Sequence, residues 1–137
     1  MKTIIKNTVL VFLGLLLGSF VNMGILIAGS SLIPLPKGVS MANPQSLKAG
    51  IRLFEPIHFV TPFLAHALGT FIGAFLVAKF AASNKFTLAM IVGAFFLLGG
   101  ISNVISIPAP NWFCTIDLLF AYIPMAFLGW KITTMKK

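Results

Sequence analysis

Residues Phe86–Ile107 read FTLAMIVGAFFLLGGISNVISI, an apolar run without one charged side chain. A helix rises ~1.5 Å per residue and needs about 20 mostly apolar residues to span the hydrocarbon of a bilayer. Three more runs meet that requirement, at about Thr8–Gly29, Pro62–Ala82 and Trp112–Ile132. All four are continuous rather than alternating, which argues for helices and against a closed barrel. The expected fold is all-α: one transmembrane domain over residues 1–137, a four-helix bundle with an outer loop at residues 30–61.

Composition leads to the same class. The chain of 137 residues is 58% apolar and 9% charged, where a soluble domain carries about 25% charged residues. Its mean hydropathy is +1.03. A domain this small has too little interior to bury so much apolar surface. A cytosolic enzyme, a disulfide-stapled secreted domain and a disordered tail are excluded. The single Cys114 rules out an internal disulfide or a multi-cysteine metal site. A net charge of +8 would point to nucleic acid in a soluble protein. Here the basic residues sit at the ends of the apolar runs, with no basic face interleaved with stacking aromatics. The expected partner is the lipid bilayer, with a homo-oligomer or a larger membrane complex as further options; no nucleic acid and no cofactor are expected.

The ends of the runs carry their own signals. Thr61-Pro62 offers a capping hydroxyl before a proline at the first helical position, and Asn111 follows Pro108-Ala109-Pro110 as a cap for the fourth run. Ser83-Asn84 marks a short turn. Trp112 and Trp130 bracket the fourth run as an aromatic belt. Lys2, Lys6, Lys79, Lys85, Lys131, Lys136 and Lys137 fall on one side, against Lys37, Lys48 and Arg52 on the other. By the positive-inside rule both termini are cytoplasmic, in an inner (cell) membrane. The first run is too long for a signal-peptide core of about 7–15 residues and is expected to stay as a helix.

Small residues at helical spacing, Gly14 with Gly18 and Gly69 with Gly73, allow close helix packing inside one bundle. Pro124 lies within the fourth run, where it cannot donate to the carbonyl of Phe120, so a kink and a hinge are expected.

Polar residues inside a span are expensive and therefore informative. Asn22, His66, Asn103 and Asp117 come from the four runs, one each, all roughly 6–10 Å below the outer boundary. Asp117 is the one carboxylate within a run, and His66 is its natural partner. The layer reads either as an interhelical hydrogen-bonded clamp or as an outward-facing site for a proton, ion or substrate. A metal site fits less well, because His58 and His66 stand eight apart with Pro62 between them and no paired-ligand motif occurs. In the outer loop Leu47, Ile51 and Phe54 recur at helical spacing. An amphipathic surface helix is expected over Ser46–Glu55, capped by Ser46 and supported by an Arg52–Glu55 pair. It would lie over the polar layer, with Arg52, Glu55 and His58 as gate or lid.

The stretches His66-Ala67-Leu68-Gly69-Thr70, Leu97–Asn103 and Asp117-Leu118 through Tyr122-Ile123-Pro124-Met125-Ala126 resemble small four-helix bacterial membrane proteins of unassigned function. The resemblance covers the last half of the chain and implies no activity. Small multidrug transporters fit poorly, since their first span carries an acid where this one has Asn22. The leading functional expectation is a small transport or permeation protein, with Asp117, His66, Asn22 and Asn103 binding substrate or ion and Pro124 as hinge. The rivals are a non-catalytic membrane subunit or scaffold, and a small membrane enzyme or metal-binding protein. No catalytic residue is assigned; Glu55, His58, His66 and Asp117 are the side chains that could do acid–base work.

Overall fold

In the computed structural model, which describes residues 1–135, every regular element is helical. Four helical stretches are long and apolar enough to cross a membrane: Lys2–Leu32, Pro56–Phe80, Lys85–Ser106 and Asn111–Met135. Lys136 and Lys137, counted above for orientation, lie outside the described residues.

Helix α1 spans Lys2–Leu32, longer at both ends than the apolar run alone. Nothing before Thr8 breaks a helix, so the polar start simply continues it. It stops where Pro34 forces Ile33 out of the helical region, to φ −121° and ψ 88°. At its start Asn7 is buried and ties α1 to a distant turn: its amide donates to Ser83 Oγ (3.1 Å) and its carbonyl accepts from Ala82 N (3.0 Å).

The loop helix differs from expectation. Helix α2 is Pro44–Gly50, and Asn43 caps it by accepting from the backbone N–H of Gln45 (3.0 Å) and Ser46 (3.1 Å). Pro44 occupies the first helical position, where its missing N–H is harmless. Ser46 is thus not the cap; its hydroxyl donates to Gly38 O and accepts from Ser40 N, pinning the preceding loop. A 3-10 turn, Ile51–Leu53, follows, so the regular helix ends before Arg52 and Glu55 could pair. Among the described residues the contact at salt-bridge distance is His66–Asp117, at 2.8 Å, not Arg52–Glu55.

The second long stretch starts earlier than Thr61. A 3-10 turn at Pro56–Phe59 leads directly into α3, Val60–Phe80. Its start is a reciprocal box in which Glu55 N donates to His58 Nδ1 (2.8 Å) and the Glu55 side chain accepts in return. Pro56, not Pro62, is the proline at the first helical position. Thr61 therefore lies inside the helix, buried against Gly29.

Asn84 turns the chain between α3 and α4 (Lys85–Ser106) in the left-handed conformation, φ 49°. Asn tolerates that region because its short amide can bond locally. The fourth stretch is split into α5, Asn111–Phe120, and α6, Ile123–Met135. Asn111 is the first helical residue rather than a cap. Pro124 sits in the first turn of α6, where a missing N–H is tolerated, so the interruption falls at Ala121–Tyr122 instead of at a mid-helix kink.

Glycines set the closest approach. A Cβ added to Gly14 would lie 2.8 Å from Gly73 O, and one added to Gly18 would lie 2.5 Å from Gly69 O. The pairs run in opposite directions along α1 and α3, so the two helices are antiparallel. Gly129 brings α6 equally near α3, 2.7 Å from Phe71 O by the same measure. Around these contacts Ala74, Val77, Ala78, Ala89, Val92 and Ala126 form a fully buried core between α3, α4 and α6. Trp130 meets Phe86 edge-on at 4.9 Å between ring centroids, placing the end of α6 beside the start of α4. Lys2, Lys6, Lys79, Lys85 and Lys131 consequently share one end of the helices.

Candidate functional site

At the opposite end lies a cavity of about 360 Å³, a size typical of small-molecule sites. Leu47, Lys48, Ile51 and Phe54 roof it, and Leu26, Val104, Ile107 and Phe113 form much of its wall. Asn22, His66, Asn103 and Asp117 line it too. A smaller adjoining cavity of about 170 Å³ is lined by Asn22, His66, Phe96, Gly99, Gly100, Asn103 and Tyr122. Asn22, His66 and Asn103 line both cavities, and Asp117 lines the larger one.

Asp117, on α5, is 3% exposed. A buried carboxylate needs its oxygens engaged, and both are. His66 Nδ1, from α3, lies 2.8 Å from Oδ1, and the Tyr122 hydroxyl donates to Oδ2 at 2.8 Å. The His66 and Tyr122 rings stack, with centroids 5.7 Å apart and an interplanar angle of 27°. Tyr122 reaches Asp117 because the helix is interrupted there. On a continuous helix residues five apart point in different directions and do not meet.

Gly100 makes room for this arrangement. A Cβ added there would fall 2.5 Å from the Tyr122 hydroxyl and 2.6 Å from the ring. Gly100→Ala is expected to push the tyrosine off Asp117 and lower stability by about 1–3 kcal/mol, the usual range for overpacking. A melting curve of the full chain in lipid nanodiscs checks this, and Gly99→Ala, whose added Cβ meets nothing within 4 Å, is the control. Equal melting of the two variants would contradict the packing argument.

The two asparagines are not bonded into the pair. Asn22 Oδ1 is buried with no hydrogen-bond partner, the one such side-chain atom among the described residues. Asn103 is exposed and lines both cavities without a side-chain hydrogen bond to the other three. The suggested gate residues lie elsewhere. Arg52 and Glu55 are exposed, His58 is half-buried against the Glu55 backbone, and none of the three lines either cavity. The loop side chains over the cavity are apolar, apart from Lys48. Pro124 lies two residues beyond Tyr122 and touches the site only through the chain break.

The acid–base side chains thus separate into two pairs, Glu55 with His58 and His66 with Asp117. Among the described residues no three of His, Cys, Asp and Glu gather into a group that could hold a metal ion. Tyr122 is the site residue that sequence reasoning missed. Its signals were that it is the only tyrosine of the chain and stands two residues before Pro124. No family model matches the chain, and no curated protein or solved structure is significantly similar to it.

Proposed function

We propose that this is a small multi-pass transport protein of the inner membrane, with its substrate site in the cavity above His66 and Asp117. In this reading the four apolar stretches form one bundle. Both termini and the Ser83-Asn84 turn are cytoplasmic, and α2 lies at the outer surface over the cavity. The shared lysine end supports that orientation under the positive-inside rule. The lysine end is closed by tight packing of small residues while the other end is hollow, the asymmetry of an outward-open vestibule. Asn22, His66, Asn103 and Asp117 form the binding shell, together with Tyr122.

One observation carries the proposal: Asn22 Oδ1 is a buried acceptor left without a donor near the hydrogen-bonded His66 and Asp117. A purely structural network would be expected to satisfy each of its members. The test uses full-length protein in liposomes, with an entrapped pH dye reporting solute-driven proton movement across a panel of small amines, alcohols and carboxylates. Protein-dependent movement with at least one class is expected. His66→Gln and Asp117→Asn should each reduce it at least tenfold while the protein still assembles in the membrane. Movement unaffected by either substitution would overturn the assignment of the site.

The rival scaffold reading draws on a different fact, that both Asp117 oxygens are already satisfied by the protein itself. It is favoured if no solute moves and the same two substitutions release a bound partner from membrane extracts.

A further inference from the structure

The polar end of the cavity has acceptors to spare. With Asp117 ionised and His66 a neutral imidazole, the proton of their bond sits on Nδ1 and Nε2 presents a lone pair. Nε2 makes no hydrogen bond among the described residues, and it is not among the buried unpartnered atoms, so it is open to the cavity. Asn22 lines the same cavity with no hydrogen bond on its side-chain amide among the described residues; Oδ1 is turned inward and buried, and a half-turn of the amide presents it to the cavity as a second acceptor. Ionised, Asp117 adds a negative charge that at 3% exposure little water reaches. Phe54, Phe59 and Phe113 supply aromatic surface higher in the cavity, with Phe59 and Phe113 packed at 4.7 Å between centroids.

We infer that the cavity takes a primary ammonium group on a small apolar or aromatic body. The ammonium hydrogens go to Asn22 Oδ1 and His66 Nε2, Asp117 balances the charge, and the body lies among the phenylalanines. This rests on the reading of the cavity as a substrate site and adds the ligand class to it. An anion would place like charge beside Asp117 and bring no hydrogen to either acceptor. A quaternary ammonium has the charge but no donor, and an alcohol has one donor but no charge. Lys48, the cation of the lining, is solvent-exposed, where water and salt screen it.

Cys114 lines the cavity and is the only cysteine, so the unaltered protein carries its own reporter. Full-length protein in nanodiscs is treated with methyl methanethiosulfonate and weighed intact. Phenethylammonium, its N,N,N-trimethyl analogue and 2-phenylethanol serve as protecting ligands, and the melting temperature with each is the second readout. Phenethylammonium is expected to protect Cys114, and to raise the melting temperature, at concentrations at least tenfold below the other two. A buried acceptor left unpaired is worth about that factor. Asn22→Ala should shrink the advantage to less than threefold. Equal effects of all three ligands would overturn the ammonium inference and leave the cavity reading standing. No protection and no melting shift with any of them would overturn both the inference and the cavity as a site for this ligand class, and solute movement with other classes in liposomes would then separate the two.

Discussion

Asp117→Leu is expected to lower the stability of the protein by about 3 kcal/mol, because one buried and one partly buried donor lose their acceptor at roughly 1–3 kcal/mol each. The donors are His66 Nδ1–H and the Tyr122 hydroxyl, both 2.8 Å from the carboxylate. Single interhelical hydrogen bonds inside membranes average only about 0.6 kcal/mol, because polar groups find other partners when the helices separate. Three facts place this site above that average. The carboxyl group takes part in two hydrogen bonds at once, it joins α3 to the α5–α6 break, and at 3% exposure it has little access to replacement water. The change is read by titrating the full chain in mixed micelles with SDS. The triple variant Asp117→Leu, His66→Leu, Tyr122→Phe should recover at least half of the loss, since removing all partners leaves nothing unsatisfied. Full stability in the single variant would show that the network does not hold the helices together. Recovery of stability in the triple variant without recovery of solute movement would separate the structural contribution of the network from its proposed transport role.

An effect of similar size is expected at the α1–α3 crossing. Gly18→Leu puts a side chain where a Cβ alone would lie 2.5 Å from Gly69 O and 2.7 Å from the Phe96 ring. The ring can turn aside, but the carbonyl belongs to a helix and moves only if the two helices part. A loss of about 3 kcal/mol, the upper end for overpacking, is expected. Separation would also strip the dispersion contacts that hold helices together in lipid, where no hydrophobic drive replaces them. Gly24→Leu on the same helix is the control. Its added Cβ meets nothing within 4 Å, so a change of less than about 0.5 kcal/mol is expected. Equal SDS sensitivity of the two variants would mean that α1 does not pack on α3 in this register.

The secondary elements were legible to different degrees, for physical reasons. The four spans are readable because hydrocarbon demands an unbroken apolar run, a constraint that acts on each segment separately. Their ends are less so. Thr61, Ser46 and Asn111 each have cap chemistry, yet Glu55 with His58, Asn43, and Pro110 occupy those starts. Capping is decided by which residue the chain leaves outside the helix, and several candidates within a few residues have nearly the same intrinsic preference. In two of the three cases a proline one position after the cap, Pro44 and Pro56, is the better marker.

The sequence by itself determined that the chain suits lipid, that it has four helical stretches able to cross a membrane, and that Asn22, His66, Asn103 and Asp117 stand at similar distances from the ends of their runs. Those properties follow from hydropathy and from the fixed rise of a helix, both of which are local. Tertiary structure decided which members of that layer touch. His66 meets Asp117, Asn22 is left with a bare oxygen, and Asn103 stays open to the surroundings, because rotation of each helix about its axis is set by packing and not by depth. It also decided that Tyr122 joins the site. The residue depends on an interruption two positions before Pro124 and on the space left by Gly100 on another helix. Helix breaks and interhelical gaps arise from contacts between distant segments, and no periodicity within one segment encodes them.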